Sequence, residues 1–311
     1  MKLNPEDQYY ADENSIQAVL CQYGLELVCF EAAKSGIENT TLFVDTNKGK
    51  FVLRMYRQNK KADEVIKEEI RFTNLLAQRA LPVPKIVPNT QREFLNYATV
   101  GGLRWQWVLM EYMAGEHPEF YSHPLINSMA TVQAQMHKLS AEYDYSNEFL
   151  PRLTELRETV FINKIDRNDG LDSRLVDFLE RAEAFVLPLP LDLPTGICHL
   201  DFSKGNVLVD HDAVAAVLDF DDMQVAPYAV CLGFSLYHLR EGNCSVAEQE
   251  EYVHQYRTIR KLSELEKSIL PGVMLFRHYF ISSLRIFRQR CAEEDIIKYL
   301  EIEQDLVKKA Q

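Results

Sequence analysis

The sequence predicts an α+β chain in which an antiparallel sheet comes first and helices follow. Two observations carry this. Up to about residue 110, segments such as LELVCFEAA, TTLFVDT, KFVLRMYR and LRWQWVLM are rich in β-branched and aromatic residues and bounded by turn formers. Beyond residue 115 most apolar residues recur at helical spacing instead. A third observation interrupts that helical run. Between Val207 and Phe220 the sequence reads as two short strands, NVLVD and AVAAVLDF, joined by the polar pair His211-Asp212.

Taken in order, residues 5–23 read as a helix with Ile16, Val19, Leu20 and Tyr23 on one face, ended by Gly24. Three antiparallel strands follow, the last two joined by a turn at Asn47-Lys48-Gly49. An amphipathic helix over 62–80 carries Ile66, Ile70, Leu75 and Leu76, and the prolines of LPVP stop it. Extended segments at KIVP and NYATV, a Gly101-Gly102 turn and the strand LRWQWVLM complete an N-terminal lobe with an expected five-stranded sheet. Helices are then predicted over 125–139, 152–165, 171–187, 227–241, 246–259, 262–291 and 293–309, with Pro271-Gly272 breaking the long one. His137, near the end of the first of these, reads as a structural histidine. In the long helix Phe276, Tyr279, Phe280 and Phe287 form a core-facing stripe, while Arg277, Arg285 and Arg288 are expected to pair with acidic surface groups.

Composition narrows the function. With 34 basic against 46 acidic residues and a formal charge of −12, the chain is a poor partner for nucleic acid or an anionic membrane, and a cationic small molecule suits its field. Six cysteines, without C-x-x-C spacing, suggest neither a zinc site nor a disulfide framework and read as small buried residues. The stretch MKLNPEDQYYADENS lacks the basic and apolar regions of a secretory leader, and no apolar run approaches a membrane span. The cytoplasm is the expected compartment.

The chemistry concentrates on HLDFSKGNVLVDHDAVAAVLDFDD, from His199 to Asp222. A hairpin brings its two ends together, so Asp201 and Asn206 before the first strand are expected beside Asp219 and Asp221 after the second. Acidic residues at hairpin ends are commonly solvated turn formers. Phosphoryl transfer, however, needs a carboxylate at the acceptor hydroxyl and hard oxygen ligands for Mg²⁺, and this hairpin offers both.

The spacing H-x-D-x-x-x-x-N followed by D-x-D resembles the aminoglycoside phosphotransferase and choline kinase family, small-molecule kinases of protein-kinase-like fold. Homoserine kinases are among its relatives. The resemblance implies a bilobal fold: an N-terminal lobe over 1–110, a hinge at 111–115 and a helical C-terminal lobe over 116–311. It implies Asp201 as catalytic base, Asn206 and Asp219 as magnesium ligands, His199 as a brace and Asp221 as a helper through water. In the N-terminal lobe it places Gly36 and Asn39 in the loop over the nucleotide phosphates, although an ordinary hairpin loop accounts for them equally well. Arg54 stands where a phosphate-pairing lysine is expected, with a solvent-facing strand cation as the alternative. Glu69 takes the ion-pair position, with Glu68 as the other candidate. Adenine is expected at the backbone of Glu111 and Met113, with Met110 behind it.

Two positions depart from the family pattern. Leu200 follows the histidine where a small residue is common, and Val230 or a neighbour replaces an Asp usually found beyond the D-x-D. The function implied is ATP- and Mg²⁺-dependent transfer of the γ-phosphoryl group to a small-molecule hydroxyl, an amino alcohol such as homoserine or choline, or an aminoglycoside-type compound. The competing reading is a nucleotide-binding pseudokinase that serves as an interaction module.

Overall fold

The computed structural model describes residues 12–33, 39–56, 61–100, 103–145, 172–187, 189–287 and 292–310. The start of the first expected helix, the turn containing Gly36 and the expected helix over 152–165 lie outside the described residues. The chain divides into two compact units, Met1–Gly115 with Ala215–Leu218, and Glu116–Val214 with Asp219–Gln311.

In the first unit, helix α1 (Glu13–Cys21) starts at Asp12, whose side chain accepts a hydrogen bond from the Ser15 amide at 2.8 Å. Gly24, at φ +64°, turns the chain out of it. Strands β1 (Leu27–Ala32), β2 (Thr40–Thr46) and β3 (Gly49–Met55) form an antiparallel meander. Helix α2 (Asp63–Gln78) follows, then β4 (Ile86–Val87), β5 (Asn96–Val100) and β6 (Leu103–Glu111). The sheet has six strands in the order β1-β2-β3-β6-β4, with β5 also paired to β6. It exceeds the expected five because the KIVP segment contributes the two-residue β4.

Alternation along β6 explains why this sheet is covered on both faces. Trp105, Trp107 and Leu109 join one buried cluster with Ile16, Val19 and Leu20 of α1. Val108, on the opposite face, joins Ile66 and Ile70 of α2.

The second unit holds α3 (His123–Ala141), α4 (Ser173–Ala184), β7 (Thr195–Cys198), the hairpin strand β8 (Val207–Asp210) with the start of its partner β9 (Ala213–Val217), whose residues from Ala215 on are counted with the first unit, and β10 (Gln224–Pro227), which pairs antiparallel with β7. Helices α5 (Tyr228–Glu241), α6 (Val246–Arg257), α7 (Glu264–Phe287) and α8 (Glu293–Ala310) complete it. A capping box between Ser245 and Glu248 opens α6. Every residue of α5 from Tyr228 to Leu239 is buried, which makes it the central helix. Its Gly233 allows a close approach of α7, because a Cβ there would sit 2.5 Å from Cγ1 of Val273.

The expected break at Pro271-Gly272 does not occur. Helix α7 continues through Pro271. A helix-interior proline costs about 3 kcal/mol. Burying Val273, Leu275 and Phe276 just beyond it returns roughly 1.5–3 kcal/mol per side chain, so packing outweighs local preference. Among the described cysteines, Cys198, Cys231 and Cys244 are buried, but Cys21 and Cys29 are exposed, contrary to the expectation that all are core residues. Cys198 and Cys231 meet His137 in the core, with their ligand atoms within 4.8 Å of one another. Nδ1 of His137 is satisfied by the Tyr256 hydroxyl at 2.7 Å, Cys231 takes a bond from Gln133 Nε2 at 3.5 Å, and Cys198 donates to the Ala226 carbonyl at 3.5 Å. Among the described residues, no helix is long and apolar enough to cross a membrane.

His278, on α7, is wholly buried and its Nε2 meets the Tyr299 carbonyl at 2.9 Å. Burial lowers its pKa to about 4, with Tyr299, Glu303 and Glu241 acting against the shift and Arg285 with it. The native state therefore keeps this ring neutral where the unfolded chain protonates it. The stabilisation is full above the ordinary imidazole pKa and is lost as pH falls toward 4, a swing of roughly 3 kcal/mol. Urea unfolding at pH 7, 6 and 5 should show stability declining, and His278→Gln should flatten that slope. An identical slope in the variant would exclude His278 as its source.

Candidate active site

The loop after β7 is tied to its own backbone. The Asp201 carbonyl accepts from the Ser203 amide at 3.0 Å and from Asn206 Nδ2 at 2.9 Å, and the Asn206 amide donates to the Ser203 carbonyl at 3.0 Å. His199 is buried, its ring 4.8 Å from that of Phe220 and 6.0 Å from that of Phe202, and its Nδ1 accepts the Asp201 amide at 3.3 Å. It thus braces the loop, as the sequence suggested. The segment after Gly115 grips the same loop. Glu116 bridges to Val209, His117 Nδ1 meets the Val207 carbonyl at 3.0 Å, and the Lys204 amide donates to the Tyr121 hydroxyl at 3.1 Å.

Asp201 keeps its side chain 33% exposed while both oxygens are held. Oδ2 accepts from Asn206 Nδ2 at 2.7 Å. Oδ1 accepts from Arg277 Nη2 on α7 at 2.6 Å and lies 3.4 Å from His238 Nε2 on α5. Burial by itself would push the carboxyl up. The hydrogen bond from His238 and the charge of Arg277 outweigh it and hold Asp201 well below the usual carboxylate range. Behind His238 stands Glu241, 3.6 Å from Nδ1 and ion-paired with Arg285. Burial works against Glu241 as well, and the His238 bond and Arg285 lower it to about 2. The sequence reading named neither His238 nor this role for Arg277. The available signal was the position of Arg277 between Phe276 and Phe280, inside an aromatic stripe that faces the core.

Asn206 precedes β8 by one residue and Asp219 follows β9 by two, so the hairpin returns the chain to the same end. Asp219 is exposed and left-handed at φ 60°, and the turn Phe220–Asp222 begins directly after it. The Asn206 amide nitrogen is engaged by Asp201, which leaves the amide oxygen for a cation. The Asn206 amide oxygen and the Asp219 carboxylate are both oxygen donors, the kind that suits a hard divalent ion such as Mg²⁺. Asp221 is half-buried and Asp222 exposed on the same turn.

In the first unit, Arg54 sits on β3 opposite Thr41 and Val108, buried, with its guanidinium 5.6 Å from the Tyr56 ring centroid. It is therefore not a solvent-facing cation. Glu69 is also buried, accepts from the Tyr56 hydroxyl at 2.9 Å and pairs with Lys61 at 3.0 Å, a partner not foreseen. Glu68 is wholly buried and bonded by Arg71. Asn39 is half-buried directly before β2, whereas Gly36 lies outside the described residues. Glu111 ends β6 with its amide donating to the Lys85 carbonyl at 2.9 Å, and Met113 follows, half-buried. Met110 is partly buried and packs against the α2 cluster.

Residues 30–265 match the model of the phosphotransferase enzyme family, APH. The chain belongs to that family. It is a small-molecule kinase that transfers phosphate to an alcohol group. A homoserine kinase of Afipia carboxidovorans is 26% identical over 255 residues, covering 79% of this chain and 75% of the relative. One from Methylobacillus glycogenes is 27% identical over 260 residues, covering 80% and 76%. Among solved structures, a microcompartment-associated aminopropanol kinase aligns with TM-score 0.69 and 19% identity over 95% of each chain. An amicoumacin kinase aligns with TM-score 0.72 and 14% identity, over 96% of this chain and 94% of that one. These alignments establish the protein-kinase-like fold.

The two departures from the family pattern share one buried cluster. Leu200 and Val230 both belong to the core that contains Cys198, Cys231, Phe234 and Val273. Leu200 holds φ +61°, a backbone state that suits glycine. Leaving it as leucine costs about 1–2 kcal/mol, whereas removing a buried leucine costs about 2–5 kcal/mol. Leu200→Gly should therefore destabilise the protein, by roughly 1–3 kcal/mol in urea unfolding, despite relieving the backbone. A gain in stability would show that backbone strain, not packing, dominates at this position.

Proposed function

We propose that the enzyme transfers the γ-phosphoryl group of ATP, with Mg²⁺, to a hydroxyl of a small amino alcohol such as homoserine or choline, or of an aminoglycoside-type compound. The observation that carries this is Asp201: a carboxylate one third exposed, kept ionised, and oriented by three side chains in a member of this family. The relatives named homoserine kinase and the aminopropanol kinase neighbour support an amino alcohol as the first acceptor to test.

Asp201 accepts the acceptor's O–H and so aims the oxygen. As the new O–P bond forms and the bond between the γ-phosphorus and its bridging oxygen breaks, the proton passes to Asp201 and ADP leaves. The low basicity of Asp201 fits a late transfer of that proton, with orientation as its main contribution. Asn206 and Asp219 would hold Mg²⁺, which neutralises charge on the phosphates. For the nucleotide, we assign phosphate contacts to Arg54 and to the loop with Gly36 and Asn39, Glu69 as the acidic partner, and the purine edge to the backbone of Glu111 and Met113.

Turnover should be followed as ADP release with ATP, Mg²⁺ and a panel of homoserine, choline and 1-aminopropan-2-ol. Asp201→Asn should lower kcat by about 10²–10⁴-fold with the KM for ATP within a few-fold. Undiminished transfer would remove Asp201 from the chemistry, and failure of the whole panel would reject the amino-alcohol assignment. Asp219→Ala should abolish the Mg²⁺ dependence of nucleotide binding in calorimetry. Binding that still tightens with Mg²⁺ as in the parent would discard Asp219 as a ligand.

A further inference from the structure

We propose that Arg277 is a positioning residue for phosphoryl transfer, fixing Asp201 from outside its own loop. The inference rests on the reading of Asp201 as the group at the acceptor hydroxyl. Asn206 holds Oδ2, but it belongs to the same short loop and moves with it. The 2.6 Å bond from Arg277 Nη2 ties Oδ1 to a helix that lies 76 residues away in sequence.

The guanidinium is built in rather than draped over the surface. It is 5% exposed, lies 4.7 Å from the ring centroid of Phe234 and 5.6 Å from that of Phe280, and has Nη2 3.2 Å from His238 Nε2. Rings on α5 and α7 thus fix its plane, and a fixed plane fixes the direction of the N–H aimed at Asp201. A buried cation needs a buried or partly buried anion. Glu241 is already engaged by Arg285, so Asp201 is the carboxylate left to Arg277. An exposed ion pair contributes little to stability and would not need this housing.

Truncating Arg277 therefore removes the shorter of the two contacts to Oδ1, leaving His238 Nε2 at 3.4 Å, without stranding the oxygen, because Asp201 is exposed enough to take water in place of the guanidinium. The fold should persist and the aim of the carboxylate should not. Arg277→Met should lower kcat by about 10²-fold, the scale of an ångström-sized misplacement, with the KM for ATP within a few-fold. Arg277→Lys keeps a charge against the two rings but loses the planar fork, and should retain an intermediate kcat.

The deciding experiment is a double-mutant cycle on kcat, measured with the panel acceptor turned over fastest. If Arg277 acts through Asp201, Arg277→Met added to Asp201→Asn should cost no more than a few-fold further. A folded Arg277→Met enzyme with parental kcat overturns the proposal. So does a loss that multiplies in full with that of Asp201→Asn, which would mark a purely structural role. Should Arg277→Met fail to fold, Arg277→Lys decides, and parental kcat in that variant overturns the proposal. Parental turnover in Asp201→Asn alone would instead overturn the reading of Asp201, and this inference with it.

Discussion

An ionised carboxylate held at the edge of a protein core is the constraint on which the second unit is organised. Desolvation works to protonate Asp201, and a protonated carboxyl could not accept a hydrogen bond from an acceptor hydroxyl in the same way. The structure resolves this by bringing positive charge to one carboxylate oxygen and an amide to the other. The requirement then spreads outward. Arg277 needs α7 at a set distance, His238 needs α5 beside it, and Glu241 with Arg285 balances the charges brought in. The buried helix α5 supplies both His238 and the Phe234 ring that Arg277 lies against.

Local signals made much of this architecture legible. Strand alternation, the turn at Asn47-Lys48-Gly49 and the spacing from His199 to Asp219 depend on neighbours in sequence, and the corresponding strands and hairpin are present. The relations that escaped are those between distant residues. Arg277 read as a surface cation because its sequence neighbourhood is basic, whereas its partner is a carboxylate brought in from another element. Arg54 alternates with apolar residues in a way that fits either face, and only the strands paired on both sides of β3 show it to be buried. Pro271 misled for the same reason. Its local preference is real, but side chains that follow it are locked against α5 and decide the outcome.

The departures at Leu200 and Val230 belong together. An apolar residue at the second position removes a charge from the core, and a large side chain at the first occupies the same cluster. A pair of changes that looks, position by position, like decay of a catalytic motif is one coherent packing solution around an intact Asp201 and Asn206.

Gly233 carries no functional group, yet it sets how closely α5 and α7 approach at Val273. Those two helices carry His238 and Arg277 to the Asp201 carboxylate. The mutational tolerance of this enzyme should therefore be narrow at a site remote from any reactant. Selection for activity would act there on the length of a missing methyl group, so that comparing variants by distance from the chemistry alone would miss one of the positions to which the chemistry is most sensitive.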